Sequence, residues 1–321
     1  MDSYLNDDVV FTKQQKKALE EIGVEINDDL VLDTGKEGSR AADAWARLWN
    51  NRLEGDHFLM PFEFTQDEIL PEDQEQVKLW LQDFENSSCL KMVEVKPDDD
   101  DYSSWTNILE VGFGEGAGEA FAGCWSYVGR VGWARQFLSL SGGCHKSRGV
   151  VHHEFIHAAG FWHEMQRQDL ADHIELNVDR YNCQHENATG HVVNDINLNV
   201  NYRCLSCDLP DIFTSFRPWK DLWSPYDYDS IMHYGGWTCG GPGGLMTYKD
   251  SDIVISPQSP GNRLTTQDAM QINKLYGCPI QQTLPCASYR YLAESVYLAS
   301  RRCDGVEDCF DGSDEVSDFK P

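Results

Sequence analysis

The feature that most constrains this 321-residue chain is a run of histidines near its middle, His153-Glu-Phe-Ile-His157-Ala-Ala-Gly160-Phe-Trp-His163. Residues four apart share one face of a helix, so His153 and His157 can bind one metal ion from a single helix. Glu154 follows the first histidine and can reach a water molecule at that ion. Gly160 tolerates a left-handed backbone that ends the helix, and the chain can then return with His163 as a third ligand. Three protein ligands leave one position open for water, which is typical of a catalytic zinc site.

Composition limits the partners of the chain. The formal net charge is −27, and phosphate backbones need a basic surface, which argues against nucleic acid as a partner. A hydrophobic content of 41% is ordinary for a globular protein. No stretch approaches the roughly 18 apolar residues of a membrane span.

Eleven cysteines are scattered along the chain without a double CxxC zinc pattern, which indicates disulfides and an oxidising compartment. Because eleven is odd, at least one thiol is free or pairs with another chain. Two Asn-X-Ser/Thr triplets, at Asn86 and Asn187, are compatible with a secreted glycoprotein. The residues after Met1 do not read as a signal peptide. Either the chain is cytosolic with reduced cysteines or the sequence lacks its first segment, and we favour the second interpretation.

A second segment strengthens the metal-site hypothesis, Tyr228-Asp-Ser-Ile-Met232-His-Tyr234-Gly. Together with the extended histidine motif, it resembles the astacin family of metzincin zinc peptidases. The resemblance implies that Met232 forms the Met-turn, an apolar floor beneath the zinc. It also implies that Tyr234 can bind the metal as a fifth ligand and then swing off to stabilise an oxyanion. Glu164, directly after the third histidine, would bind the amino terminus of the mature enzyme.

The resemblance covers roughly residues 41–279 and implies two disulfides and secretion. The stretches around Cys124 and Cys144 resemble a family segment with one bridge, Cys124–Cys144, and the stretch ending at Cys278 resembles the end of the catalytic domain, implying Cys89–Cys278. Residues 183–224 look like an insertion. The pairings Cys183–Cys204 and Cys207–Cys239 are only guesses, and the pairing of the remaining cysteines stays open: Cys286, Cys303 and Cys309.

Residues 1–40 are interpreted as a propeptide. In the family, a propeptide aspartate occupies the open zinc position. Asp29 and Asp56 compete for this role of zymogen latch, and Asp29 is preferred because residues 47–49 and 60–62 resemble the opening of the mature domain. Cleavage after Arg40 would then release Ala41 as the new amino terminus. The alternative is that residues 1–40 are an acidic solvated lead-in.

Residues 280–321 begin with a short linker, 279–285, and continue into an acidic segment that starts at Cys303. This segment resembles the calcium end of a low-density-lipoprotein-receptor class A module. The resemblance implies that four carboxylates surround Ca²⁺, a cation that prefers many oxygen ligands: Asp304, Asp308, Asp314 and Glu315. Such modules have six cysteines, and only three remain here, so the module is degraded and calcium binding stays open.

The resemblance implies an α+β metzincin (zincin) fold with two lobes. The upper lobe should hold a twisted mixed sheet and two long helices, the second carrying His153 and His157. The lower lobe should be mostly irregular, with a late helix around 265–276. The predicted function is a secreted, zinc-dependent endopeptidase with one Zn²⁺ per chain, which hydrolyses internal bonds of protein or peptide substrates with Glu154 as proton carrier. The alternatives are a catalytically silent secreted binding protein and another zinc hydrolase, such as an aminopeptidase.

Overall fold

The structure is a computed structural model. It describes residues 48–49, 53–114, 123–132, 134–167, 169–176, 224–237, 244–257, 262–279, 281–288 and 296–316. It also describes the backbone of short strand segments at 9–12, 31–32, 183–186, 192–193 and 202–204. The proposed latch Asp29 and the cleavage point at residues 40–41 lie outside the described residues.

A mixed sheet forms the core of the upper lobe. Its strands are β1 (Val9–Thr12), β2 (Val31–Leu32), β3 (Leu53–Glu54), β4 (His57–Phe64), β5 (Leu90–Glu94), β6 (Ile108–Gly112), β7 (Cys124–Tyr127) and β8 (Arg135–Leu140). β4 pairs in parallel with β5 and β6, and β3 joins it as an antiparallel hairpin. β8 runs parallel to β6 and antiparallel to β7. The short β1 then pairs in parallel with β7 and with β2, which extends the sheet beyond β7.

Two long helices cover this sheet. α1 (Pro71–Ser87) starts with a proline, whose fixed φ suits the first helical position. It buries Val77, Leu81 and Phe84, which recur at helical spacing and so face the core together. α2 (Arg148–Ala159) is buried along its whole length from Val151 to Ala159, so it passes through the interior rather than over the surface. This helix carries the first two histidines of the motif.

The lower lobe contains little regular structure in its described part. Its elements are α3 (Leu170–His173), β9 (Ile174–Leu176), β13 (Met246–Tyr248) and α4 (Thr266–Tyr276). β9 and β13 form an antiparallel pair over a small apolar core that includes Met165 and Tyr234. The side chain of Thr265 caps α4 by accepting from the backbone N–H of Asp268, whose carboxylate returns the bond. The predicted α+β metzincin architecture, including the late helix, is confirmed.

Beyond the catalytic lobes, the tail forms a small hairpin of its own, β14 (Thr283–Pro285) with β15 (Val296–Leu298). Three residues that the sequence assigned to a linker are therefore a strand. A disulfide joins Cys286 to Cys309, while Cys303 is an exposed free thiol. No helix in the described part of the chain combines the length and the apolarity that a bilayer crossing needs.

The region predicted to be an insertion contains three short strands, β10 (Cys183–Glu186), β11 (Val192–Val193) and β12 (Tyr202–Cys204). They form an antiparallel sheet in which Cys183 lies opposite Cys204. The other two cysteines of the guessed pairings, Cys207 and Cys239, lie outside the described residues.

Candidate metal centre

The three histidines of the motif converge on one point. Nε2 of His157 lies 3.1 Å from Nε2 of His153 and 3.2 Å from Nε2 of His163. A tetrahedral zinc ion with bonds of about 2.0–2.1 Å would separate its nitrogen ligands by about 3.3 Å. All three side chains are buried, and they are the group of candidate metal ligands found in the described residues. The donor set and its spacing therefore fit a zinc ion.

Backbone carbonyls orient two of these rings. Nδ1 of His153 lies 2.8 Å from the carbonyl oxygen of Ile231, and Nδ1 of His157 lies 2.7 Å from that of Phe161. A carbonyl can only accept, so each Nδ1 carries the proton and donates it. Each Nε2 then keeps its lone pair directed toward the common point.

A tight turn brings the third histidine into place. Gly160 has φ 117°, in the left-handed region, and ends α2. Its N–H donates to the carbonyl of His157 at 2.8 Å, and the N–H of Phe161 donates to that of Ile156 at 3.2 Å. A side chain at position 160 would be strained by this backbone. The turn reverses the chain within three residues, so that His163 reaches the other two rings.

The two residues with predicted catalytic roles both border the cluster. Glu154 is buried in α2, directly after the first ligand. The ring centroid of Tyr234 lies 4.5 Å from that of His163 and 6.3 Å from that of His153, and the tyrosine is buried. A carboxylate and a phenol therefore stand beside the three imidazoles.

The segment around Met232 lies beneath the centre. Met232 is buried in the main hydrophobic core, and its carbonyl accepts from the N–H of Glu164 at 3.0 Å. Asp268, at the start of α4, accepts from the hydroxyl of Ser230 at 2.6 Å and from the N–H of Ile231 at 3.2 Å. The carbonyl of Ile231 is the one that orients His153. The capping residue of α4 thus holds the peptide that positions a candidate zinc ligand.

Buried acids accompany this contact. Burial, together with the nearby charge of Asp268, raises the pKa of Asp227 well above its ordinary value. The hydroxyl of Thr265 donates to Asp227 at 2.5 Å and accepts from the N–H of Asp268 at 3.0 Å. Because two adjacent buried carboxylates repel each other when both are ionised, Asp227 is the member of the pair that we expect to hold a proton.

Glu164, the predicted partner of a mature amino terminus, is buried and has a cation beside it. Its Oε1 accepts from Arg167 at 3.0 Å and from the N–H of Asp227 at 2.9 Å. Its Oε2 lies 3.4 Å from the amide nitrogen of Gln271. Burial raises the pKa of Glu164, and the charge of Arg167 opposes this shift. The guanidinium therefore compensates the carboxylate in this structure.

His152, next to the first ligand, points away from the cluster. Its Nε2 lies 2.8 Å from the carbonyl oxygen of Trp80, and its ring packs edge-on against Phe84 of α1. Burial lowers the pKa of His152 to about 4, so the ring is neutral at physiological pH. It is a core histidine that ties α2 to α1.

Two disulfides that the resemblance implied are present in the structure. Cys89–Cys278 joins the segment after α1 to the segment after α4, with a sequence separation of 189. Cys124–Cys144 joins the start of β7 to the turn before α2. Both bridges therefore fix elements that frame the histidine cluster.

A solved structure shares this fold. It is high choriolytic enzyme 1, a hatching enzyme zinc-protease from Oryzias latipes, which matches 76% of this chain and 99% of its own with a TM-score of 0.52 and 20% identity. At this identity the likeness concerns the fold alone. Combined with the histidine cluster, the fold defines the class of zinc metalloendopeptidases.

The family within that class is the astacin family. The family model for the astacin peptidases matches residues 50–207, and this part of the chain belongs to that family. Human meprin A subunit beta is 30% identical over 203 residues, which cover 62% of this chain and 23% of the relative. The astacin-like metalloendopeptidase of Gallus gallus is 31% identical over 181 residues, covering 54% of this chain and 37% of the relative. The chain thus matches only about a quarter to a third of the length of these curated relatives.

Several residues of the site escaped sequence reasoning, among them Asp268, Asp227 and Arg167. Asp268 had a local signal, because Thr265 precedes it by three residues in a capping-box pattern. That pattern predicts a helix start, but it does not reveal that the same carboxylate contacts the loop beneath the metal centre. Asp227 and Arg167 had no such signal, since their partners are distant in sequence or backbone groups.

Proposed function

We propose that this chain is a secreted, zinc-dependent endopeptidase that hydrolyses internal peptide bonds of proteins and is made as a zymogen. The observation that supports this most strongly is the convergence of three Nε2 atoms at 3.1–3.2 Å beside a buried glutamate. Family relatives are themselves named metalloendopeptidases.

His153, His157 and His163 would hold the zinc ion. When bound, zinc acts as a Lewis acid that makes a nucleophile available from water near neutral pH and polarises a carbonyl. The carbonyls of Ile231 and Phe161 keep two of the imidazoles in the tautomer that this requires. Burial of the rings excludes bulk water and fixes their orientation.

Glu154 is the proposed proton carrier. It lies next to the first ligand on a buried helix, so its position is set by the same backbone that sets the histidines. In this role it takes a proton from the attacking water and delivers it to the leaving nitrogen of the cleaved bond. A single carboxylate can serve both steps because it is regenerated when the proton leaves.

Tyr234 is the proposed oxyanion donor. Its ring is buried against His163, which limits its motion to the neighbourhood of the cluster. A phenol at this position can donate a hydrogen bond to the negative oxygen that develops as the carbonyl is attacked. Met232 would contribute only packing beneath the ligands.

The zymogen proposal is supported by β1. This strand comes from the N-terminal segment and pairs in parallel with β7, at Val9–Ser126 and Val10–Tyr127. The N-terminal segment thus occupies a sheet edge that an extended peptide could otherwise use. Asp29 remains the proposed latch and Arg40 the proposed cleavage point, and the freed amino terminus would join Arg167 as a cationic partner of Glu164.

The proposal of secretion is supported by the disulfides. The described residues contain three, and cytosolic thiols are kept reduced. A catalytically silent binding protein on the same scaffold is the alternative. It is disfavoured because the three ligand positions and the adjacent glutamate all keep their residue types.

The decisive experiment compares Glu154→Gln with the wild-type chain after trypsin treatment, using long peptides as substrates. We expect internal cuts by the wild type, none by the variant, and one zinc per chain in both by elemental analysis. Glu175→Gln, at an exposed glutamate of β9, is the matched control and should cut normally. Turnover by Glu154→Gln, trimming from the peptide ends only, or an inactive wild type would each contradict the proposal.

A further inference from the structure

The acidic segment of the tail has its carboxylates engaged by arginines. Arg263, just before α4, places Nη1 2.7 Å from Asp304 and Nη2 2.7 Å from Asp308. The other oxygen of Asp308 lies 3.3 Å from Nη1 of Arg301. Two of the four carboxylates that the sequence assigned to Ca²⁺ are therefore paired with guanidinium groups.

Backbone amides engage the other two carboxylates. Asp314 accepts from the N–H groups of Asp308 and Cys309, at 2.7 and 3.1 Å. Glu315 accepts from the N–H groups of Asp304 and Gly305, at 3.0 and 2.7 Å. Every oxygen of the four carboxylates thus has at least one donor within the protein.

This arrangement does not fit a calcium ion. Ca²⁺ needs six to eight oxygen ligands at about 2.3–2.6 Å, with their lone pairs directed inward. Here the lone pairs are directed at N–H groups, and the guanidinium of Arg263 lies between the two aspartates. A divalent ion brought to the same place would also be repelled by two arginines.

Charge balance at this point involves both the tail and the catalytic domain. Arg301 of the tail lies 3.3 Å from Asp83 of α1, and the side chains of Arg301, Asp83 and Arg263 are at most 8% exposed. Burial alone would lower the pKa of Arg263, but its hydrogen bond to Asp304 and the nearby aspartate charges raise it. Buried charges are tolerated only when they are paired, so each of these groups depends on the others.

The same contacts hold the start of α4. Arg301 donates to the carbonyl of Leu264 at 2.6 Å, and the N–H of Leu298 donates to the hydroxyl of Thr266 at 3.2 Å. Between these two positions stands Thr265, the cap of α4. Asp268 of the same helix turn holds the loop beneath the histidines. The tail is thereby connected to the metal centre through one helix start.

We infer that the acidic cluster of Asp304, Asp308, Asp314 and Glu315 binds Arg263 of the catalytic domain in place of calcium. The cluster is an intramolecular arginine site that fastens residues 281–316 to the start of α4. This inference does not depend on the proposed peptidase activity, because it concerns only how the two parts of the chain are held together.

Calcium titration of the intact chain is the first test. The protein is kept in zinc-containing, calcium-free buffer without chelator, and CaCl₂ is added to about 10 mM, roughly ten times the weakest dissociation constant of extracellular calcium modules. We expect no saturable heat in calorimetry and no change in Tm. Saturable binding of one ion with a rise in Tm would overturn the inference.

Replacement of the arginine is the second test. Arg263→Gln leaves buried carboxylates without their cation and should lower Tm by roughly 5–10 °C. Lys96→Gln is the control, because Lys96 is 61% exposed and its ion pair with Glu94 is long, at 3.7 Å; it should change Tm by less than about 1 °C. An Arg263→Gln protein as stable as this control would overturn the inference.

A milder variant keeps the test valid if Arg263→Gln fails to fold. Asp304 is 28% exposed, so Asp304→Asn should lower Tm by only about 2–4 °C. In the double variant the two losses should add to less than their sum, because each removes the same ion pair. Unchanged Tm in Asp304→Asn, or strictly additive losses, would contradict an arginine-filled site.

Discussion

The histidine centre and the acidic tail cluster both gather ligand-type side chains within a few ångströms, and they differ in what faces the ligand atoms. At the centre, the Nδ1 atoms of His153 and His157 donate to carbonyls, which leaves the Nε2 lone pairs free for an ion. In the tail, Arg263 and backbone amides point at the carboxylate oxygens themselves. A cation site therefore depends on where the neighbouring donors point, and not only on which ligands are present.

Zinc removal should give the largest effect and is the most direct way to break this comparison. Dialysis against a zinc-selective chelator should abolish peptide hydrolysis and lower Tm by roughly 10 °C, because the ion binds only the folded ligands. Calcium depletion should change neither quantity. The measurements are peptide turnover and thermal unfolding, with zinc added back as the control. Equal losses from both depletions would show that the two regions do not differ as described.

Tyr234→Phe should have the next largest effect. Loss of the phenol removes one hydrogen-bond donor to the developing oxyanion, so kcat should fall by about 10²–10³-fold with little change in KM. Zinc content and Tm should stay near wild type because the ring still packs against His163. Steady-state kinetics on one peptide measures this, with Tyr248→Phe at the edge of the lower lobe as control. A variant with normal kcat would remove Tyr234 from the mechanism.

Asp268→Asn sharpens the comparison at the level of the neighbouring groups. The amide cannot accept from Ser230, Ile231 and Thr265 at once, so the loop that orients His153 should loosen. We expect zinc affinity to fall by about 10–100-fold, while turnover recovers at saturating zinc. Competition with a fluorescent zinc chelator gives the affinity. An exposed control, Asp172→Asn, should bind zinc normally, and unchanged affinity in Asp268→Asn would refute the positioning role.

Asp169→Asn should have the smallest effect and contrasts a half-exposed arginine pair with the buried ones of the tail. Burial would raise the pKa of Asp169, but hydrogen bonds with His173 and Arg167 outweigh it and hold this pKa below its ordinary range. The pair therefore stabilises the fold above about pH 4, the pKa of an unfolded aspartate. Because Asp169 is 41% exposed, its contribution should stay below about 1 kcal/mol.

The measurement is the difference in Tm between wild type and Asp169→Asn from pH 7 to about pH 3. It should shrink as the pH falls below about 4, since protonation of the wild-type carboxylate removes the same interaction. A difference that grows toward low pH would contradict this assignment.

Sequence reasoning reached the zinc ligands because His153, His157 and Gly160 act within a single helix and the turn that ends it. Their roles follow from helical spacing and from the backbone freedom of glycine. The late helix was likewise predictable from a local cap at Thr265. The fold class followed from the family resemblance, which the structure bears out.

The tail could not be predicted in the same way. Its acidic pattern names the carboxylates, but Arg263 lies 41 positions before Asp304 and Asp83 lies 218 before Arg301. Nothing local indicates that these residues meet. The same holds for Asp268, whose second role depends on a loop 37 residues upstream. Long-range pairing of charges decided what sequence spacing could not.

The Cys89–Cys278 bridge makes a covalent ring of the catalytic unit. All three histidines, Glu154 and Tyr234 lie on that ring. One backbone cut between the two cysteines would open it to a linear but still connected molecule, so the pieces could not separate while the disulfide lasts. A peptidase built this way can be nicked once by a neighbouring copy without losing any part of its site. On a gel, such a nick would appear only after reduction.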